Sequence, residues 1–290
     1  MIEGFENILS WIEDKEIDTN ERKRREAIHI ILSAIANSDF LNARMAMKGG
    51  VLLAIRYGSS RYTTDVDFST SLTLTDVDID FVKAEMNEKI IKASEKSPYG
   101  MACRIQKFRQ KPNDPKATWP TFQISIGYAY NQDFNSFKRL QKGNCSSVIK
   151  IDYSFNEMIF GTEMLALTGQ ETILTYSYVD LISEKYRAIL QQEQRQRGRS
   201  QDVYDIYYVL TNFDEPDELT KLDILKAMIQ KSESRNLKID RTSMSDPKII
   251  KRSENKYRAL DHDIFEKLPP FQPTYDFIQN FYENLPWQKV

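Results

Sequence analysis

Two aspartates and a pair of glycines form the most chemically suggestive group in the sequence. Asp65 and Asp67 are two residues apart, so in an extended strand their side chains point to the same face. Carboxylates held that close repel unless a cation lies between them, and Mg²⁺ is bound by carboxylates together with substrate phosphate oxygens. Gly49 and Gly50 precede a short apolar segment, and a helix beginning there offers free N–H groups to phosphate. The pattern predicts a nucleotide and metal site, with a solvated hairpin end as the alternative.

A third carboxylate lies on another predicted strand, at residues 146 to 153. Ile149, Ile151 and Tyr153 alternate there and are expected to face the core. Asp152 would then lie on the opposite face, where it could complete a metal site or act as a general base. The alternative is an ordinary aspartate that meets solvent at the end of a strand.

The second half of the chain supplies a candidate cation. Lys185 lies at the edge of an apolar helical stripe, so it either extends to solvent or points its ammonium group into a charged pocket. Asp202 leans towards the apolar side of a later helix, and Asp205 is its neighbour on one face. A carboxylate in that position prefers a cationic partner, which Lys185, Arg187 or Arg199 could supply.

Hydrophobic periodicity predicts an α+β fold. Strands and helices are both predicted in residues 1–165, and helices dominate residues 166–290 apart from one short strand. The predicted helices are at residues 5–17, 20–37, 76–96, 179–189, 201–212 and 275–284. The predicted strands are at residues 44–47, 65–67, 101–108, 121–130, 146–153 and 172–176, with a surface loop at 109–120.

Composition excludes several classes of site and partner. The 290 residues include two cysteines and two histidines, too few for a disulfide framework or a zinc site, and a Ser-His-Asp triad is nearly excluded. His29 lies in an apolar helical run and is expected to be structural. The N-terminus does not resemble a signal peptide, and no apolar run approaches the roughly 20 residues that span a bilayer. We therefore expect a cytoplasmic protein without a membrane partner.

The charge distribution gives one local signal. Lys and Arg total 40 against 42 Asp and Glu, so the net charge of −2 does not indicate a nucleic-acid partner. Residues 219–260, however, contain 11 Lys or Arg against 5 Asp or Glu. This region is either two solvated helices or a surface that meets nucleic-acid phosphate.

Four segments in order resemble a known family, the AbiEii/AbiGii nucleotidyltransferase toxins of type IV toxin–antitoxin and abortive-infection systems. They are Lys48-Gly49-Gly50, residues 61–68, residues 180–190 and residues 199–207, and the resemblance covers roughly residues 25 to 215. This family is similar to polymerase β-type nucleotidyltransferases. The resemblance implies a nucleotidyltransferase domain at 1–165, with a mixed or antiparallel sheet flanked by helices. It also implies a mostly helical domain at 166–290 that completes the active site and could bind nucleic acid.

The resemblance also implies roles for individual residues. Asp65 and Asp67 would hold Mg²⁺, with Asp152 as a candidate third ligand or base, and Lys185 and Asp202 would belong to the catalytic site. The nucleotide-binding candidates are Lys48, Gly49, Gly50, Thr63, Lys185 and Arg187. Two departures from the family are Thr63, where the family often has Ser, and the long Gln/Arg segment between Lys185 and Asp202.

The implied activity is transfer of a nucleoside monophosphate from GTP, CTP or another nucleoside triphosphate to an RNA, in particular a tRNA 3′ end. Two alternatives stay open: transfer to a protein acceptor, and an inactive protein of the same fold that binds GTP or a partner. The family resemblance further implies a cognate antitoxin encoded nearby.

Overall fold

A computed structural model describes residues 7–14, 17–114 and 116–290. Its centre is a seven-stranded mixed sheet with the order β3-β4-β5-β2-β1-β7-β6. The strands are β1 (Ala46–Lys48), β2 (Asp65–Ser69), β3 (Met101–Lys111), β4 (Thr121–Tyr130), β5 (Val148–Ser154), β6 (Thr162–Ala166) and β7 (Thr172–Tyr176). The predicted α+β class with a mixed sheet is confirmed, since β2 and β5 are parallel whereas β4 and β5 are antiparallel.

Helices flank the sheet and make up most of the chain after β7. In the described part of the chain they are α1 (Ile8–Ile12), α2 (Thr19–Ala36), α3 (Asp39–Asn42), α4 (Gly49–Tyr57), α5 (Ile79–Lys96), α6 (Phe134–Gln141), α7 (Tyr178–Leu190), α8 (Gln192–Arg195), α9 (Ser200–Asn212), α10 (Glu218–Glu233), α11 (Pro247–Glu254) and α12 (Phe271–Glu283). Within the ranges that the structure covers, no helix is both long and apolar enough to cross a membrane.

The strand register places one polar row across the middle of the sheet. Lys48 pairs with Asp67, Asp67 with Asp152, and Asp152 with Gln123, so four neighbouring strands contribute to the row. Adjacent residues point to the other face and are buried, as strand alternation requires; Val66 is an example. The predicted alternation of both carboxylate-bearing strands is therefore correct.

The sheet and the helical half are joined through β7. This strand pairs in parallel with β1, where Met47 is opposite Thr175, and leads directly into α7. Helix α7 then packs against α9 and α10. The sheet therefore continues beyond residue 165, and the division of the chain between residues 165 and 166 stays a prediction.

Several elements differ from the sequence-based expectation. Strand β3 continues to Lys111, so the predicted loop begins later than residue 109. The edge strand β6 and the short helix α6 were not predicted; in β6 the apolar Met164 is exposed and Glu163 is half-buried, the reverse of the usual alternation. Helix α1 covers only part of the predicted helix at 5–17, of which residues 5, 6, 15 and 16 lie outside the described residues. His29 is structural as expected, buried and hydrogen-bonded to Tyr99.

Candidate active site

The floor of the site is the polar row of the sheet. Asp67 lies between Lys48 and Asp152 in the register, and Gln123 donates a hydrogen bond from Nε2 to Asp152 Oδ1 at 3.1 Å. Burial raises the pKa of Asp67 to about 6, with Lys48 opposing the rise and the carboxylates of Asp152 and Asp65 adding to it. Repulsion from two neighbouring carboxylates therefore adds to the effect of burial on Asp67.

The two glycines are required by how closely the floor packs against the start of α4. Gly49 has a φ of +75°, and a Cβ atom there would lie 2.2 Å from Asp67 Oδ2. A Cβ atom at Gly50 would lie 2.7 Å from Thr63 Oγ1. Lys48 precedes the helix without a side-chain cap, so the first N–H groups of α4 have no capping side chain at the edge of the floor. Such a helix start can bind phosphate.

A buried ion network connects the floor to the helical half. Lys185 Nζ donates to Asp202 Oδ1 at 3.0 Å and to Asp205 Oδ2 at 2.6 Å. Arg61, which precedes β2, forms a two-point ion pair with the same Asp205, Nε to Oδ1 at 2.7 Å and Nη2 to Oδ2 at 3.0 Å. Burial would lower the pKa of Lys185, but Asp205 and Asp202 outweigh it, so the pKa is raised and the ammonium group stays charged.

The network settles which cations pair with Asp202. Lys185 is one, as predicted, and Arg199 is a more distant second, with Nη1 3.7 Å from Asp202 Oδ2. Arg187 instead pairs with Glu184 on its own helix. Arg187 nevertheless borders the same cleft as Asp202.

Arginines crowd one wall of the cleft. Burial lowers the pKa of Arg195, and the nearby guanidinium groups of Arg235, Arg187 and Arg199 lower it further. Burial is the larger cause, but the further lowering by three guanidinium groups shows that cations cluster at this wall, since neighbouring cations disfavour another one. This wall is therefore suited to bind a polyanion such as a triphosphate.

All ten residues predicted from the sequence line one cleft of about 600 Å³. They are Lys48, Gly49, Gly50, Thr63, Asp65, Asp67, Asp152, Lys185, Arg187 and Asp202. The carboxylates form its floor, and α7, α8 and the segment between α8 and α9 contribute cations to its wall. The structure thus brings the predicted residues together, whereas their individual roles stay predictions.

The donor set fits Mg²⁺ only when substrate takes part. Among residues 7–14, 17–114 and 116–290, no group of three or more His, Cys, Asp or Glu side chains is arranged to hold a metal ion. Mg²⁺ commonly takes one or two carboxylates and completes its coordination with phosphate oxygens and water. Asp65 and Asp67 satisfy that requirement, and the crowding that raises the pKa of Asp67 would be relieved by a cation. Asp152 as a further ligand stays a prediction.

Several residues of the cleft were missed by sequence reasoning. Arg61 and Glu184 lie within segments that carried the resemblance, so their position gave a signal. Trp119, Glu157 and Arg235 gave none, because they reach the cleft from loops and a helix end far apart in sequence.

The fold and the cleft together define a nucleotidyltransferase. MenT4, the nucleotidyltransferase toxin Rv2826c from Mycobacterium tuberculosis H37Rv, shares the fold at a TM-score of 0.57 and 13% identity, covering 94% of this chain and 88% of that chain. JHP933 from Helicobacter pylori gives a TM-score of 0.54 and 13% identity, covering 94% and 97%. The family described as nucleotidyl transferase AbiEii toxin, type IV TA system, matches residues 30–280, so the chain belongs to that family. A search of curated proteins gives no match.

Proposed function

We propose that this nucleotidyltransferase transfers a nucleoside monophosphate from a nucleoside triphosphate to the 3′ hydroxyl group of an RNA, in particular a tRNA, and that it does so with Mg²⁺. The observation that carries the proposal is the pairing of an acidic floor, which includes Asp65 and Asp67, with a cationic wall that includes Lys185 and Arg195 across one cleft. Family membership supports the toxin role and the presence of an antitoxin partner.

The residues of the floor and of the wall have different proposed roles in this reaction. The acceptor oxygen attacks the α-phosphorus, the bond from that phosphorus to the bridging oxygen breaks, and pyrophosphate leaves. Asp152, held by Gln123, is placed to accept the hydroxyl proton. Lys185 and the arginines of the wall bind the triphosphate, and Asp202 and Asp205 hold Lys185 in position. Mg²⁺ bound by Asp65 and Asp67 would neutralise charge on the phosphates.

The RNA acceptor is supported by the basic region of the sequence. Within residues 219–260, Arg235 lines the cleft, whereas Lys238, Lys248, Lys251 and Arg258 are exposed on the surface. Exposed cations of this kind can hold the phosphate backbone of a long acceptor. A short protein hydroxyl acceptor does not need such a surface.

The test uses each of the four nucleoside triphosphates in turn, labelled at the α-phosphate, with Mg²⁺ and total RNA. We expect ribonuclease-sensitive label from the wild type, and none after chelation of Mg²⁺ or from the Asp65→Ala, Asp67→Ala double variant. An Asp261→Ala variant, which changes an exposed aspartate outside the cleft, is the control and should transfer normally.

Two outcomes would contradict the proposal. Label in protease-sensitive material would indicate a protein acceptor, and no label from folded wild type would indicate a binding protein. The toxin role is tested separately by expression with and without the neighbouring gene: growth arrest that the neighbour relieves is expected, and growth arrest that persists in the double variant would contradict a catalytic toxin.

A further inference from the structure

Trp119 is one of three aromatic side chains, with Tyr62 and Tyr176, in a cleft lined mainly by charged and polar residues. It is half-buried and borders the cleft beside Thr121 and Asp152. The guanidinium carbon of Arg235 lies 4.2 Å from the centre of its ring, within cation–π distance. Arg235 in turn is fixed by an ion pair with Glu157, Nη2 to Oε2 at 2.6 Å. The ring therefore has a fixed support on one side.

The backbone on both sides of Trp119 is also held. The carbonyl oxygen of Thr118 accepts a hydrogen bond from Asn156 Nδ2 at 2.8 Å. The carbonyl oxygen of Pro120 accepts one from the backbone N–H of Phe155 at 2.9 Å. These bonds tie the loop before β4 to the segment after β5, so the ring is positioned without a ligand.

An aromatic ring in this setting has a specific use. The surroundings recognise phosphate through charge, but charge does not recognise the flat, uncharged ring of a nucleobase. An indole ring that is held in place can bind a nucleobase, because every base has a face that stacks on aromatic rings. On the basis of the proposed function, we propose that Trp119 is a nucleobase-stacking residue, and that the base belongs either to the incoming nucleotide or to the 3′ end of the acceptor.

The test separates base recognition from phosphate recognition. Equilibrium binding of ATP, CTP, GTP and UTP is compared with binding of inorganic triphosphate, in the wild type and in Trp119→Ala. A second comparison uses an oligoribonucleotide and the same oligonucleotide with an abasic 3′ end. Trp119→Phe keeps a stacking ring and should bind almost normally, and Phe134→Ala, 72% exposed outside the cleft, is the control.

We expect Trp119→Ala to weaken binding of one base-containing ligand by about 5- to 150-fold, the range that one stacked base contributes, with its base-free counterpart unaffected. Weaker binding of the nucleoside triphosphates assigns the stacked base to the incoming nucleotide. Weaker binding of the oligonucleotide assigns it to the acceptor. Unchanged binding of every ligand would overturn the proposal. Equally weakened binding of inorganic triphosphate would also overturn it, since Trp119 would then act only by supporting Arg235.

The result is independent of whether transfer occurs. If the wild type binds a nucleotide through its base but transfers no label to RNA, the proposed function fails and the stacking role stands. If transfer to RNA occurs but Trp119→Ala binds every ligand normally, the proposed function stands and the stacking role fails. Thermal unfolding of both Trp119 variants shows whether the ring also contributes to folding.

Discussion

Asp67 offers a quantitative test of the electrostatics of the floor. Its pKa is raised from the ordinary 3.8 to about 6, mainly by burial and then by the neighbouring aspartates, with Lys48 opposing the rise. Between these values the folded state binds more protons than the unfolded state, so stability falls as the pH rises through this window. The ionised carboxylate therefore costs the folded protein about 3 kcal/mol above pH 6, at 1.36 kcal/mol per pKa unit.

Asp67→Asn should remove that cost because asparagine does not ionise. In the absence of Mg²⁺, we expect the variant to be more stable than the wild type by up to about 3 kcal/mol near pH 7.5, and by only about 1 kcal/mol near pH 4.5. Urea unfolding at both pH values measures the difference. On the proposed function, the same substitution should also abolish transfer, because Asp67 is a proposed ligand for Mg²⁺.

The control for this experiment is Asp261→Asn, which changes an exposed aspartate outside the cleft. This variant should be as stable as the wild type at both pH values. Two results would refute the reasoning: Asp67→Asn no more stable than the wild type near neutral pH, or a gain that does not shrink in acid. Either would mean that the charge of Asp67 is already compensated in the folded state.

Two further substitutions, Asp205→Asn and Gly49→Ala, test the packing of the site, with Gly143→Ala as the control for the second. Asp205→Asn should destabilise the protein by about 3–5 kcal/mol in urea unfolding, because it removes the negative charge that pairs with buried Lys185 and half-buried Arg61; an unchanged midpoint would contradict this. Gly49→Ala and Gly143→Ala both place alanine at a positive φ, which costs about 1–2 kcal/mol, but only the first pushes a Cβ atom into Asp67. Transfer should therefore fall at least tenfold in Gly49→Ala alone, and equal rates in the two variants would contradict the steric argument.

Local sequence patterns were enough to predict the floor of the site. Asp65 and Asp67 lie on one face because strand alternation fixes side-chain direction. The same rule placed Asp152 opposite its buried neighbours. Helix periodicity likewise placed Asp202 and Asp205 on one face, and both contact Lys185.

The remaining contacts depend on tertiary structure. Arg61 and Asp205 are 144 residues apart, and no local pattern specifies that they pair. The support of Trp119 by Arg235 likewise requires a loop before β4 and the end of α10 to meet. Strand β6 was missed because its side chains reverse the usual alternation: Met164 is exposed, whereas Glu163 is half-buried.

The long separation between Arg61 and Asp205 has a consequence during synthesis. A chain still attached to the ribosome can form the acidic strands well before α7 and α9 have emerged, because Lys185 and Asp205 are translated later. Until then Arg61 lacks its counter-ion, and the cleft lacks the lysine to which the proposed function assigns triphosphate binding. We therefore expect a nascent fragment that ends before Lys185 to be inactive, with activity appearing only after the chain has grown past Asp205.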